Sequence, residues 1–68
     1  MPNPAEYVIS LFGGVRATAR ACGLTPAAVG YWRKRGHIPI KQVQGVIKSL
    51  ASLGLRYERS KLYPAYPA

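Results

Sequence analysis

The stretch RATARACGLTPAAVGYWRKR, residues 16–35, decides the fold of this 68-residue chain. Its first half is rich in alanine, which predicts a slim helix that another helix can approach closely. Gly23 follows, where a helix end commonly needs the left-handed backbone conformation that glycine adopts at low cost. We expect Leu24, next in the chain, to fill the space between this helix and the one that follows.

The second half of the stretch predicts another helix, over residues 26–34. Thr25 is a favoured N-cap residue, and Pro26 suits the first helical position because the N–H that it lacks has no partner there. Val29 and Trp32 are three residues apart, so their side chains lie on one face and are expected to point inward. A slim helix, a glycine turn and a capped helix together indicate a helix-turn-helix motif.

Two further helices are predicted outside this stretch. Asn3 and Pro4 provide a second N-cap and first-turn proline, beginning a helix that ends at the Gly13-Gly14 pair. Another amphipathic pattern, with apolar residues three and four apart, ends at Gly54. Its apolar positions are Ile40, Val43, Val46, Ile47, Leu50 and Leu53.

The fold expected is therefore all-α, a compact four-helix domain that contains the helix-turn-helix. The whole chain, 1–68, forms one domain, with the helical body over 4–54 and a short extended or irregular tail over 55–68. A domain of this size has a small core, so self-association is a natural source of extra stability. Helix 40–53 and tail 55–66 are the regions considered for a homodimer contact, with Val46 or Leu53 as examples.

The tail is basic and rich in tyrosine. Pro64 and Pro67 exclude a regular helix at its end. Three tyrosines, Tyr57, Tyr63 and Tyr66, have two interpretations. They pack back on their own domain or on a partner subunit, which we favour, or they stack on nucleic-acid bases.

The net charge of the chain indicates which classes of partner it can bind. Ten Lys and Arg residues face two acids, Glu6 and Glu58, for a formal net charge of +8. Such a density favours polyanionic partners. No apolar run is long enough to cross a membrane, and the N-terminus lacks the pattern of a signal peptide, so we expect a cytoplasmic protein without a membrane partner.

Catalysis has no support in the sequence. Cys22 is the single cysteine, and we interpret it as a small buried apolar residue on the inner face of its helix. No paired carboxylates, activated nucleophile, phosphate-binding glycine loop or set of metal ligands is evident. We therefore expect neither an enzyme nor a bound cofactor or metal.

The outward positions of the 26–34 helix are the candidate site. In DNA-binding helix-turn-helix proteins the second helix enters the major groove and the first crosses the backbone. The residues expected to meet base edges are Thr25, Pro26, Ala27, Gly30, Tyr31 and Lys34. The residues expected near phosphates are Arg16, Arg20, Arg33, Arg35, His37 and Lys41.

Several of these motifs resemble the Cro repressors of temperate bacteriophages, above all their all-helical branch, and related Cro-like regulators of prophages. The resemblance runs over about residues 6–63. It is carried by Val8-Ile9-x-x-Phe12-Gly13, Ala19-x-Ala21-Cys22-Gly23-Leu24, Ala28-Val29-x-x-Trp32 and Ile38-Pro39. Thr18 and Gly30-Tyr31 depart from the residues that relatives often carry.

The resemblance implies a lambda-repressor-like fold and a sequence-specific repressor of transcription. It also implies that two copies bind a pseudo-palindromic double-stranded DNA operator in the cytoplasm of a bacterial host, associated with the nucleoid. Within the same chemistry, an antitoxin-type or activating regulator stays open. From other classes we considered a small basic RNA-binding protein and a cationic membrane-active helix, the latter disfavoured because Lys41 and Lys48 give helix 40–53 few cations.

Overall fold

A computed structural model describes residues 3–63 of the chain. Four α-helices follow one another: α1 (Pro4–Phe12), α2 (Val15–Cys22), α3 (Pro26–Arg35) and α4 (Ile40–Ser52). A short 3-10 turn, Arg59–Leu62, lies near the end of the described part. The prediction of an all-α four-helix domain is confirmed, with α3 one residue longer than expected.

Local signals fix where the helices begin and end. The Asn3 side-chain oxygen accepts a hydrogen bond from the Glu6 backbone N–H (2.9 Å), so the predicted N-cap of α1 is confirmed. The Thr25 hydroxyl does the same for the Ala28 N–H (3.2 Å) at the start of α3. Gly23 ends α2 in the left-handed conformation, with φ 69°. The turn of the helix-turn-helix is thus bounded by local signals on both sides, with Gly23 ending α2 and Thr25 beginning α3.

A single core lies between the helices. Val29 and Trp32 of α3 are buried as predicted, and Val8 of α1 packs in the same cluster. Thr18 of α2 is fully buried too, and its hydroxyl donates a hydrogen bond to the Gly14 carbonyl oxygen (2.7 Å). Because that polar group is satisfied within its own helix, Thr18 occupies an apolar core position at little cost.

The ends of α4 depart from the amphipathic pattern. Ile40, an apolar position of that pattern, is 54% exposed. Leu53, which we consider for either the core or a dimer contact, is 59% exposed. They lie at the first position of the helix and just after its last, beyond the neighbours that cover the middle turns. Val46, which we considered for a dimer contact, is instead buried in the core of its own chain.

The segment after α4 contributes to the core. Leu62, on the 3-10 turn, has no exposed surface and lies in the same cluster as Val8 of α1. The Tyr7 hydroxyl of α1 accepts a hydrogen bond from the Glu58 backbone N–H (2.7 Å). The favoured interpretation is that the tail packs on its own domain or on a partner subunit, and for these residues packing on their own domain is confirmed. The turn itself was not expected, since we predicted an extended or irregular chain here.

Two tyrosines of the tail are described and differ in environment. Tyr57 is half-buried and packs against the core, whereas Tyr63 is exposed. Residues 64–68, with Tyr66 and the last part of the segment considered for dimer contacts, lie outside the described residues. No helix in the described part of the chain is long and apolar enough to cross a membrane.

Cys22 is half-buried rather than fully buried, which corrects the sequence interpretation. It lines a cleft between α2 and α4 together with Ala21, Gly45, Ser49 and Leu53. Small residues on both helices leave this cleft open. Partial burial raises the pKa of the Cys22 thiol, and a hydrogen bond with Ser49 acts in the opposite direction.

Candidate nucleic-acid interface

The turn between α2 and α3 fixes the angle at which α3 is presented. The Leu24 backbone N–H donates to the Ala19 carbonyl oxygen (2.8 Å), which closes the end of α2 around Gly23. Leu24 is half-buried and packs against the core, and Thr25 begins α3 immediately afterwards. The chain between the two helices therefore has little freedom to change their relative orientation.

The two faces of α3 differ sharply. Val29 and Trp32 face the core, while Tyr31 is 51% exposed. Of the six positions expected at base edges, five are exposed: Thr25, Pro26, Ala27, Tyr31 and Lys34. The sixth, Gly30, is partly exposed, and a Cβ added there would have no atom within 4 Å apart from its chain neighbours and its own helical backbone. The surface predicted to meet DNA is thus an accessible one.

Tyr31 and Arg35 form a pair on this surface. An Nη1 nitrogen of Arg35 donates a hydrogen bond to the Tyr31 hydroxyl oxygen (3.1 Å). The guanidinium carbon also lies 5.6 Å from the centre of the tyrosine ring, within the range of a cation–π contact. We assigned the two residues separately, one to bases and one to phosphate. Their spacing of four residues on a helix is the signal that could have revealed the pair.

Arg16 and Arg20 lie beside the start of α3. Both are exposed, and they line a shallow groove between α2 and α3 together with Leu24 and Pro26. A polyanion that followed this groove would meet the two guanidinium groups and then the N-terminal turn of α3. The structure therefore brings these two predicted phosphate ligands next to the predicted base-reading helix.

The other predicted phosphate ligands lie elsewhere around α3. Arg33 is exposed and borders a hollow toward α1, lined also by Glu6 and Val15. His37 is half-buried, with Nδ1 3.2 Å from the Arg35 carbonyl oxygen. Lys41 is exposed in the first turn of α4. Arg33 and His37 thus lie at the C-terminal end of α3, whereas the pair on α2 flanks its beginning.

All charged side chains of the helix-turn-helix are positive. Residues 15–35 carry five Lys or Arg and no Asp or Glu. Glu6 lies on α1, and Glu58 lies in the tail with its Oε2 3.8 Å from the Lys61 Nζ. Because nearby carboxylates are few, the positive potential of α2 and α3 is little offset.

Chemically, the arrangement offers methyl groups, a phenol, an ammonium and several guanidinium groups on one accessible helical surface. Such a set can form hydrogen bonds to base edges and ion pairs with phosphates. Comparison of the chain with protein-family models, with curated proteins and with solved structures finds no match in any of the three.

Proposed function

We propose that this protein is a sequence-specific, double-stranded DNA-binding regulator of transcription, a repressor of the Cro type that its sequence resembles. In this proposal α3 enters the major groove and α2 crosses the phosphate backbone. The observation that carries the proposal is the exposed outer face of α3, bordered by Arg16 and Arg20 in the adjoining groove.

Few direct hydrogen bonds to bases are available on α3. The Thr25 and Ala27 methyl groups suit thymine methyls, and Lys34 suits the acceptors of guanine. Gly30 has open space in front of its backbone, which allows a close approach to the groove floor. A surface this sparse also depends on DNA shape and on bridging water for its preference.

Arg16 is proposed to fix the position of the chain on the backbone. It is exposed in the first turn of α2, where unpaired N–H groups and the helix dipole also favour an anion. Such contacts supply affinity and register but carry no sequence information.

Two copies are proposed to bind together, because one chain of this size makes few contacts with an operator. Ile40 and Leu53 are the large exposed apolar residues at the two ends of α4, a helix about 20 Å long. They cannot form one compact patch. Leu53 instead borders the open α2–α4 cleft, so two copies could exchange this leucine around a two-fold axis.

The dimer proposal is tested with Leu53→Lys, compared with Ile40→Lys as the matched control. We expect sedimentation equilibrium to show a weakened or lost dimer for the Leu53 variant and an unchanged mass for the control. Equal effects of the two substitutions would contradict this choice of interface, while leaving the DNA proposal standing.

Selection of bound sequences from random duplex DNA tests the function itself. Tyr31→Ala is expected to change which sequences are preferred. Arg16→Ala is expected to weaken all sequences alike and to lower the slope of log affinity against log salt by about one unit. An unchanged ranking for Tyr31→Ala would contradict the placement of the recognition surface on α3. Structured RNA that outcompetes every duplex would contradict the proposed function itself. Transcription from a promoter that carries the selected site then separates repression from activation.

A further inference from the structure

We propose that Arg35 acts as a positioning residue for Tyr31, so that the tyrosine hydroxyl contacts a base edge as a hydrogen-bond donor. This inference rests on the proposed DNA-binding function. It is carried by the contact between the Arg35 Nη1 nitrogen and the Tyr31 hydroxyl oxygen, together with the position of the guanidinium over the tyrosine ring.

The hydrogen bond gives the tyrosine hydroxyl a direction. A phenol has one proton to donate and lone pairs with which to accept. Arginine carries donors and no acceptor, so the Tyr31 oxygen must be the acceptor in the 3.1 Å contact. The phenol proton therefore points away from Arg35 and stays available to a second partner.

The ring contact limits the orientations of the side chain. Tyr31 is 51% exposed, and an exposed tyrosine without a neighbour has considerable freedom in its first torsion angle. With the guanidinium carbon 5.6 Å from the ring centre, rotation away from Arg35 would lose the cation–π contact and the hydrogen bond together. The pair thus holds the hydroxyl in place before DNA is bound.

A donor of fixed direction discriminates among bases. In the major groove, guanine, adenine and thymine present acceptors, whereas cytosine presents its amino group as a donor. At the base that Tyr31 contacts, we therefore expect selection against cytosine. A tyrosine hydroxyl that was free to accept as well as to donate could also pair with the cytosine amino group, and no such selection would be expected.

The chain offers a matched control for Arg35. Arg33 lies on the same last turn of α3 and is also exposed, but it borders the hollow toward α1 rather than the tyrosine ring. Replacing either arginine by methionine removes one positive charge from the same helix end and keeps a long side chain. The two variants thus differ in whether the Tyr31 contact is lost.

The experiment compares four variants with the parent chain by selection from random duplex DNA: Tyr31→Phe, Arg35→Met, Arg33→Met and the double variant Tyr31→Phe/Arg35→Met. We expect Tyr31→Phe to lose the discrimination against cytosine at one position by about 2- to 13-fold, the range of one hydrogen bond. Arg35→Met is expected to relax that same position and to weaken all sequences. Arg33→Met should weaken all sequences without changing the ranking. The double variant should relax the position no further than Tyr31→Phe does, because Arg35 has no hydroxyl left to position.

Two results would overturn the inference: an Arg35→Met variant that behaves like Arg33→Met, or a relaxed position at which the parent chain prefers cytosine. A measurement on the free protein, without DNA, tests the Tyr31–Arg35 contact separately from the proposed function. In the free protein, the tyrosine ring should shift the NMR signals of the Arg35 side-chain protons upfield, and Tyr31→Ala should abolish that shift. If the shift is present but the parent chain binds no duplex, the proposed function fails, and the readout role with it. If the shift is absent while duplex binding is sequence-specific, the positioning role alone fails.

Discussion

The helix-turn-helix, residues 14–36, and the closing segment, residues 40–63, reach their structures by different routes. In the first, the boundaries at the turn are set by residues close to them in the chain: Gly23 ends α2, and Thr25 caps α3. In the second, Leu62 contributes to the core through contacts with α1, more than 40 residues earlier in the chain. The comparison teaches that local signals suffice to build the candidate site, whereas the body that supports it depends on distant partners.

The largest loss of stability is expected from a substitution at the end of the closing segment, where folding depends on distant contacts. Leu62→Ala removes a fully buried side chain, and such substitutions cost about 2–5 kcal/mol. A domain of this size has only about 3–5 kcal/mol from its core, so we expect a chain that is largely unfolded at room temperature. Circular dichroism during urea denaturation measures the loss.

Leu53→Ala is the matched control for that substitution. The same side chain is removed from a position that is 59% exposed, so the free energy of unfolding should change by less than about 0.5 kcal/mol. The comparison is made at a concentration at which sedimentation equilibrium gives the mass of one chain for both variants. Equal losses for the two leucines would show that the 3-10 turn does not support the core.

A smaller effect is expected within the helix-turn-helix. Thr25→Ala removes the acceptor of the Ala28 N–H and should lower the free energy of unfolding by about 1 kcal/mol. Thr25→Ser keeps a hydroxyl at the N-cap and should retain most of the stability. Urea denaturation of both variants checks this, and an Ala variant as stable as the Ser variant would mean that the cap does not fix the start of α3.

The smallest effect is expected at Cys22, in the cleft where the two regions meet. Burial raises the pKa of this thiol above its ordinary value of 9.0, so the folded chain holds the proton more tightly than the unfolded chain does. This contribution to stability is complete below the unfolded pKa and is lost as pH rises through the folded one. Above about pH 9, the parent chain should therefore lose slightly more stability than Cys22→Ser does. A parallel decline of the two proteins would contradict the burial of the thiol.

The same difference between local signals and distant contacts explains which features could be predicted from the sequence. Helix ends and the inward face of α3 were predictable, because caps, glycines and residue spacing act over a few positions. The burial of Leu62 and the exposure of Ile40 were not, because both depend on which parts of the chain meet in space. Within the candidate site, the exposed positions followed from helical spacing. The bond between Tyr31 and Arg35 required side-chain geometry that a list of residue types lacks.

The most direct test of the central claim is a map of backbone amide chemical-shift changes as the labelled chain is titrated with a selected DNA duplex. We predict the largest changes over residues 25–34 and at Arg16. Changes over residues 59–62, which pack against α1, should be small. Large changes over 59–62 combined with an unperturbed α3 would contradict the claim that the outer face of this helix recognises DNA.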